Sequence, residues 1–186
     1  MRRVEPEDTQ DQARGEALRL AVIDIERHVA RGGWDAPTAV FALVRTNDAL
    51  ARTPELAGQL PADAIALAKD NPDHLTSIEQ EGLPAAADLE QLLAQLAWPE
   101  SVDGAAVVVE RIVVPPEAGE EAETLSVEQL MAHPQRQDVR IAAGVLRSGE
   151  SWCALRSRAN DSDEFVGGSP DAVPGLVEAI SATLTD

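Results

Sequence analysis

Four charged residues stand at the ends of two predicted strands, where ligand chemistry is often concentrated in sheet proteins. Arg45 and Asp48 follow the first predicted strand, and Glu79 and Glu81 close the second. An arginine in this position can hold a carboxylate or a phosphate. Two carboxylates two residues apart on a strand share one face and can divide acid and base roles between them. If the chain acts on a small molecule, these four residues are its predicted ligand-binding residues, with Glu79 or Glu81 as the base.

Other catalytic and metal chemistry has no sequence pattern in support. No G-x-S-x-G motif occurs. Cys153 lies within a predicted strand, where we expect a buried and unreactive thiol. The histidines His28, His74 and His133 have no second ligand at metal-binding spacing, and residues 160–164 lack the glycine and glutamate positions of a calcium loop. The sequence therefore predicts no catalytic residue, no metal site and no cofactor.

The net charge of the chain limits the classes of partner that it can bind. It contains 33 Asp and Glu against 15 Lys and Arg, a net charge of -18, and Lys69 is the only lysine. Such a chain repels nucleic acid and anionic lipid. The N-terminal residues lack the apolar core of a signal peptide, and no run reaches the roughly 18 apolar residues of a membrane span. We expect a soluble, cytoplasmic protein that binds neither nucleic acid nor membrane, and its arginine-rich, alanine-rich composition is typical of a GC-rich bacterial genome.

The helical elements are predicted from apolar periodicity. Residues 1–10 are polar and predicted to be flexible, and residues 11–186 are predicted to form a single domain. A long helix over residues 14–31 presents one apolar face and places its charged residues, Glu26 among them, on other faces. Glycines 32 and 33 end it. Residues 47–69 predict a broken helix, and capping-box spacing predicts further helix starts at residues 9 and 126. Further helices are predicted over residues 89–96, for about three turns, and over residues 173–184.

Strands are predicted where β-branched and apolar residues cluster. The predicted strands cover residues 38–44, 75–81 and 105–114, and a hairpin joins 139–146 to 151–158 through a Ser-Gly turn. Residues 117–124 and 160–170 read as polar loops. Alternation of helices and strands in the first half permits parallel pairing. The predicted fold is α+β, with a mixed sheet of about five strands that ends in a C-terminal β-hairpin and is covered by helices.

Several stretches carry a resemblance that spans nearly the whole chain. They are residues 34–37 (WDAP) with 41–44 (FALV), 74–81 (HLTSIEQE), 149–156 (GESWCALR) and 174–177 (PGLV). With them the chain resembles an uncharacterised family of actinobacterial proteins. The resemblance implies an actinobacterial source and no particular activity, because that family has no assigned function and no catalytic signature.

Two functions are compatible with these observations. The first is a non-enzymatic cytoplasmic binding or adaptor protein, whose partner is an unidentified protein or small molecule. The alternative is a small-molecule-binding domain or an enzyme that uses carboxylates near strand ends. A deep pocket holding several of the charged groups would favour the alternative, and a flat apolar surface would favour the first. The sequence does not indicate an oligomeric state.

Overall fold

A computed structural model describes residues 6–114 and 126–185, and in it helices cover both faces of one sheet. The predicted loop 117–124 and the first five residues of the predicted flexible segment 1–10 lie outside these ranges. The helices and strands follow in chain order: α1 Pro6–Ala30, β1 Ala39–Arg45, α2 Thr46–Arg52, a 3-10 turn Pro54–Gly58, α3 Ala62–Asp70, β2 Leu75–Glu79, α4 Leu89–Leu93, β3 Gly104–Val113, α5 Val127–Ala132, β4 Gln137–Leu146, β5 Ser151–Ser157, 3-10 turns Arg158–Asn160 and Asp163–Phe165, β6 Gly167–Ser169 and α6 Pro174–Thr183.

The described sheet has six strands in the order β2-β1-β3-β4-β5-β6, and every neighbouring pair is antiparallel. The α+β class and the hairpin of β4 and β5 are confirmed. The mixed sheet of about five strands is wrong in two respects. The helices between β1 and β2 return the chain beside β1 in the opposite direction, and the predicted loop 160–170 contains the short strand β6. With three residues, two of them glycine, β6 has no apolar pattern to detect.

The first face of the sheet is covered by α1. Its apolar side chains pack on small residues of the central strands, and Gly144 is the closest point of approach. A Cβ atom placed on Gly144 would lie 2.6 Å from Val22 Cγ2 and 3.1 Å from Leu18 Cδ1. Ala106, Ala142 and Ala154 belong to the same cluster. Small residues on the strands therefore allow the helix to sit close to the sheet.

The second face is covered by α4 and α6. Leu92 and Leu93 of α4 and Leu176 and Ile180 of α6 pack over the opposite side chains of β3, β4 and β5. Because both faces are covered, both sets of alternating side chains on the central strands are buried. Val107 and Val109 of β3, Ile141 of β4 and Leu176 of α6 are among the buried residues of this core.

Some element boundaries differ from the predictions. α1 begins at Pro6 rather than near residue 9, and α4 ends after five residues instead of about three turns. The capping box at residue 126 is present: Ser126 N donates to Gln129 Oε1 at 2.8 Å, and Gln129 N donates to Ser126 Oγ at 3.2 Å. The long helix ends as predicted, with Gly33 at a φ of +85°.

None of the described helices is long and apolar enough to cross a membrane.

Candidate functional site

The structure does not gather the four predicted ligand-binding residues into one site. Strands β1 and β2 are antiparallel, with Arg45 opposite Leu75 and Phe41 opposite Glu79. Arg45 and Glu79 therefore lie four strand positions apart, a separation of about 13 Å along the strand. Glu81 lies beyond the end of β2. The pair Arg45 and Asp48 and the pair Glu79 and Glu81 thus lie at opposite ends of the strands, because antiparallel pairing reverses β2 relative to β1.

Near Arg45, each charge already has a partner. The Arg45 guanidinium lies 2.8 Å from Asp48 and 3.2 Å from Asp103, and the Arg45 backbone N donates to Asp103 Oδ2 at 2.7 Å. At the other end, Glu79 lies 3.7 Å from His28 Nε2. The carboxylates of Asp48 and Asp103 offset the charge of Arg45 and leave it poorly suited to hold an anionic ligand.

A cavity of about 240 Å³ beside Arg45 is also lined by engaged arginines. Arg14 donates to Glu150 Oε1 at 2.6 Å and also pairs with Asp11. Arg147 donates to the backbone carbonyls of Val102 and Trp98 at 2.8 and 3.0 Å. These guanidinium groups connect secondary-structure elements to one another, so the cavity offers little free positive charge to a ligand.

A buried ionic cluster lies under the C-terminal half of α1. We define it as Glu26, Glu110, Arg140 and Arg156. Glu110, Arg140 and Arg156 stand directly opposite one another on β3, β4 and β5. Glu26 reaches down from α1 and receives two hydrogen bonds from Arg156, at 2.6 and 2.8 Å. Arg140 lies 3.7 Å from Glu26 and 3.1 Å from Glu110. Side chains from one helix and three strands are thereby joined.

The aromatic ring of Trp34 covers the ionic cluster. The Arg140 guanidinium lies 4.4 Å from the centre of the Trp34 ring, within cation-π range. Trp34 Nε1 donates to Asp161 at 2.9 Å. That bond, together with Arg156, holds the pKa of Asp161 below its usual value, and the Arg156 guanidinium lowers the pKa of Asp163 in the same way. The ring and the carboxylates of the loop after β5 therefore close the cluster from outside.

The ionic cluster is suited to structure rather than to proton transfer. Its carboxylates accept hydrogen bonds from arginines or form ion pairs with them. An arginine stays protonated throughout the accessible pH range. Glu110 Oε2 also accepts from the backbone N of Asp35 at 2.7 Å. A general base must reach the proton that it takes from a substrate, whereas Glu26 is fully buried and both of its oxygens accept hydrogen bonds from Arg156.

Sequence reasoning missed this cluster. Glu26 was expected on a polar face of α1, yet it is fully buried, as is Arg140, and Arg156 is 3% exposed. The sequence signal for their burial is the position of the two arginines along their strands. Arg140 alternates with Ala142 and Gly144, which is the pattern of a strand face that a helix covers closely. The same alternation places Arg156 beside Ala154. A charge in such a row must be buried and therefore needs an opposite charge above it.

Other residues that could do chemistry are buried or paired. The Cys153 thiol is fully buried, as predicted, and burial raises its pKa. Burial lowers the pKa of His74, whose Nδ1 lies 2.8 Å from Thr46 Oγ1. Across residues 6–114 and 126–185, no three His, Cys, Asp or Glu residues are grouped in a way that could hold a metal ion.

The second face of the sheet carries an open apolar groove between α4 and α6. Val109 and Ile141 form its floor and the cavity measures about 450 Å³. An adjoining concavity of about 750 Å³ shares Asp88, Leu89 and Arg111 with it and continues toward residues 80–87. We call the first cavity the α4–α6 groove. Its walls consist of apolar or small residues of the two helices and their flanks: Leu89, Leu93, Val173, Gly175, Leu176 and Ala179.

The rim of the α4–α6 groove is charged. Asp88, Glu90 and Arg111 line it and are exposed. Asp88 caps α4 by accepting from Gln91 N at 2.8 Å. Within the described part of the chain, none of the three forms an ion pair. An apolar floor with polar groups at the edge is the usual composition of a binding surface.

Comparison with known proteins identifies a family but no activity. A family model described as PPA1309-like protein matches residues 18–185, which is most of the chain. It represents a family of uncharacterised proteins, in agreement with the resemblance noted in the sequence. No curated protein and no solved structure matches the chain.

Proposed function

We propose that this chain, which belongs to the family of PPA1309-like proteins, is a non-enzymatic binding or adaptor protein of the cytoplasm. Its binding surface is the α4–α6 groove, and its ligand is an apolar segment of a partner protein. The acidic composition and the single cysteine support a cytoplasmic place of action. The resemblance implies an actinobacterial host, and the scarcity of lysine agrees with the GC-rich genome of such a host. Its net charge of -18 supports the view that neither nucleic acid nor an anionic membrane is the partner.

The α4–α6 groove is the observation that carries this proposal. Val109 and Ile141 lie at the base of this cavity, and because they are only 3% and 6% exposed, most of its apolar surface comes from the walls between the two helices. The adjoining concavity lengthens it to the segment before α4. An elongated, open groove suits a peptide segment, which lays successive side chains along it. A small-molecule site more often encloses most of its ligand.

A small-molecule-binding domain is the second candidate. A volume of about 450 Å³ falls within the usual range of ligand cavities, roughly 300–1,000 Å³. The version of this candidate that uses carboxylates as catalysts is weakened, because Glu79 and Glu81 lie far from Arg45 and Glu79 contacts His28. We favour a protein segment over a small molecule as the ligand because the groove is open.

Gly175 allows the groove to be filled without disturbing the fold. It lies in the first turn of α6 and lines the groove, and a Cβ atom there would meet nothing within 4 Å. Gly15 of α1 offers equally open space and lies outside the groove. Gly175→Phe should therefore obstruct the groove, and Gly15→Phe is its matched control.

A library of random dodecapeptides displayed on phage, selected against the immobilised protein, tests the proposal. We expect enriched peptides whose binding falls at least about tenfold with Gly175→Phe and stays within about twofold of wild type with Gly15→Phe. A selection that enriches no peptide, or only peptides indifferent to Gly175→Phe, would contradict a peptide-binding groove. Thermal unfolding of both variants checks that each is folded.

A further inference from the structure

We infer that the segment held by the α4–α6 groove is amphipathic and basic, with apolar side chains on Val109 and Ile141 and lysine or arginine residues facing Asp88 and Glu90. This inference rests on the proposed function and specifies the chemistry of its partner. It concerns charge, which the apolar floor alone does not determine.

Asp88 and Glu90 stand together at the N-terminal end of α4, on the rim, and are exposed. Some other carboxylates of the described chain are paired with arginines, as in the ionic cluster and around Arg45, and others are not. What sets Asp88 and Glu90 apart is their place beside the apolar floor. Within residues 6–114 and 126–185, Asp88 and Glu90 have no such counter-charge. Two unpaired carboxylates beside an apolar floor complement a cationic group that flanks an apolar side chain.

A net charge of -18 surrounds the groove with negative potential. Such a field accelerates the approach of a cationic segment and opposes that of an anionic one, by factors of about 10 to 1,000 at low salt. The local rim and the long-range field therefore select the same sign of partner. A second copy of this acidic chain is disfavoured by the same argument.

Arg111 adds a positive charge to the rim of the groove. Its exposed guanidinium lines both the groove and the adjoining concavity, so it stands at their junction. A basic residue of the partner is repelled there. The positive charges of the bound segment should consequently gather at the Asp88 and Glu90 side, with an apolar or acidic residue near Arg111. One arginine in an acidic rim thus determines the orientation in which the segment binds along the groove.

Two isosteric double variants separate the effect of the rim charges from the effect of the negative potential of the whole molecule. Asp88→Asn with Glu90→Gln removes the rim charges, and asparagine retains the capping acceptor of Asp88. Glu55→Gln with Glu100→Gln is the matched control, since both glutamates are exposed and lie outside the lining of the groove. Both double variants change the net charge by the same amount, so the long-range field is altered equally.

The experiment measures the fluorescence anisotropy of two labelled synthetic peptides, one of leucine and lysine at helical spacing and one with glutamate in place of lysine. We expect the lysine peptide to bind, about three- to tenfold more weakly to the rim variant and within about twofold of wild type to the control variant. Its affinity should also fall as salt is added. The glutamate peptide should bind far more weakly or not at all.

The possible results distinguish failure of the charge preference from failure of the peptide-binding groove. If Gly175→Phe abolishes binding but the rim and control variants behave alike, or the glutamate peptide binds as well as the lysine peptide, the charge inference is wrong and the groove stands. If lysine-peptide binding ignores Gly175→Phe, binding is general attraction to an acidic surface, and both fail. Preferential binding of a fatty acid such as laurate in the groove, competing with the peptide, would also overturn a basic protein partner.

Discussion

At the scale of single residues, the most consequential side chain is Glu26. It is fully buried, and its carboxylate accepts both hydrogen bonds of a fork from Arg156 while Arg140 stands 3.7 Å away. Burial of charge is costly unless each charge is paired and hydrogen bonded. One carboxylate compensates two buried guanidinium groups here, with help from Glu110. The removal of that one negative charge should therefore cost more than an average ion pair is worth.

Glu26→Gln should lower the free energy of unfolding by about 3–5 kcal/mol, because it leaves buried positive charge without compensation while preserving the shape of the side chain. Urea unfolding monitored by circular dichroism measures this. Glu16→Gln is the control: Glu16 forms an exposed pair with Arg19 at 2.6 Å, and its loss should cost less than about 1 kcal/mol. Equal unfolding midpoints for the two variants would show that the buried cluster contributes nothing special.

At the scale of elements, the fold depends on how closely α1 approaches the sheet. The strand face beneath it is made of glycine and alanine at the centre, and Val22 and Leu18 fill the space where a Gly144 side chain would be. The helix also supplies Glu26, whose reach to Arg156 requires this close approach. Packing of α1 and formation of the ionic cluster are therefore coupled.

Gly144→Ala should destabilise the protein by about 1–3 kcal/mol, because its new methyl group would lie 2.6 Å from a stiff valine side chain. Gly15→Ala in α1, where a Cβ has open space, should instead stabilise it by about 0.5–1 kcal/mol through helix propensity. Chemical denaturation of both variants decides the matter. A stabilised Gly144→Ala protein would mean that α1 sits farther from the sheet than described.

Most elements could be predicted from the sequence, because local patterns determine them. The hairpin, the long strand β3 and the terminal helix each carry a period or a turn signal within a few residues. Strand direction could not be predicted in the same way. The alternation of helix and strand permitted parallel pairing, whereas the helices after β1 lead the chain back beside it. The local pattern of apolar residues does not determine the path of the chain between two strands.

The functional regions were harder to predict than the fold. Glu26 follows Ile25 at the edge of the apolar face of α1, so periodicity alone predicts that it lies on another face of the helix. The pairing of Glu110, Arg140 and Arg156 depends on strand register across three strands. The α4–α6 groove depends on the shortness of α4 and on the position of α6, which are tertiary properties. These features arise from residues distant in sequence.

At the scale of the whole molecule, one sheet joins the chain from β1 to β6, and α1 and α6 cover its opposite faces. The tryptophans sample different parts of it: Trp34 lies on the ionic cluster, Trp98 donates to Thr183 of α6 at 3.0 Å, and Trp152 packs beside the α1 face. A break between independent units would have to divide this sheet.

We therefore expect residues 11–186 to unfold in one cooperative step, with tryptophan fluorescence and far-ultraviolet circular dichroism giving coincident transitions in urea. The physical reason is that α1, α4 and α6 each pack on strands from separate parts of the chain. Limited proteolysis provides a second measurement, because a single unit should yield no pair of stable halves. Two separated transitions would contradict the single-domain prediction.

The two margins of the sheet differ in their tendency to recruit further strands. β6 is three residues long, which leaves little backbone for another chain to pair with, whereas β2 offers five residues and an exposed Ile78. Edge strands of this kind are protected in many proteins by charge. Here the protection comes from Glu79, Glu81 and the overall acidity. Near pH 4.4, the isoelectric point that the composition gives, that electrostatic repulsion vanishes. We therefore expect self-association through the β2 margin to set a lower limit on the pH at which concentrated solutions remain clear, which light scattering across pH 4–7 would measure.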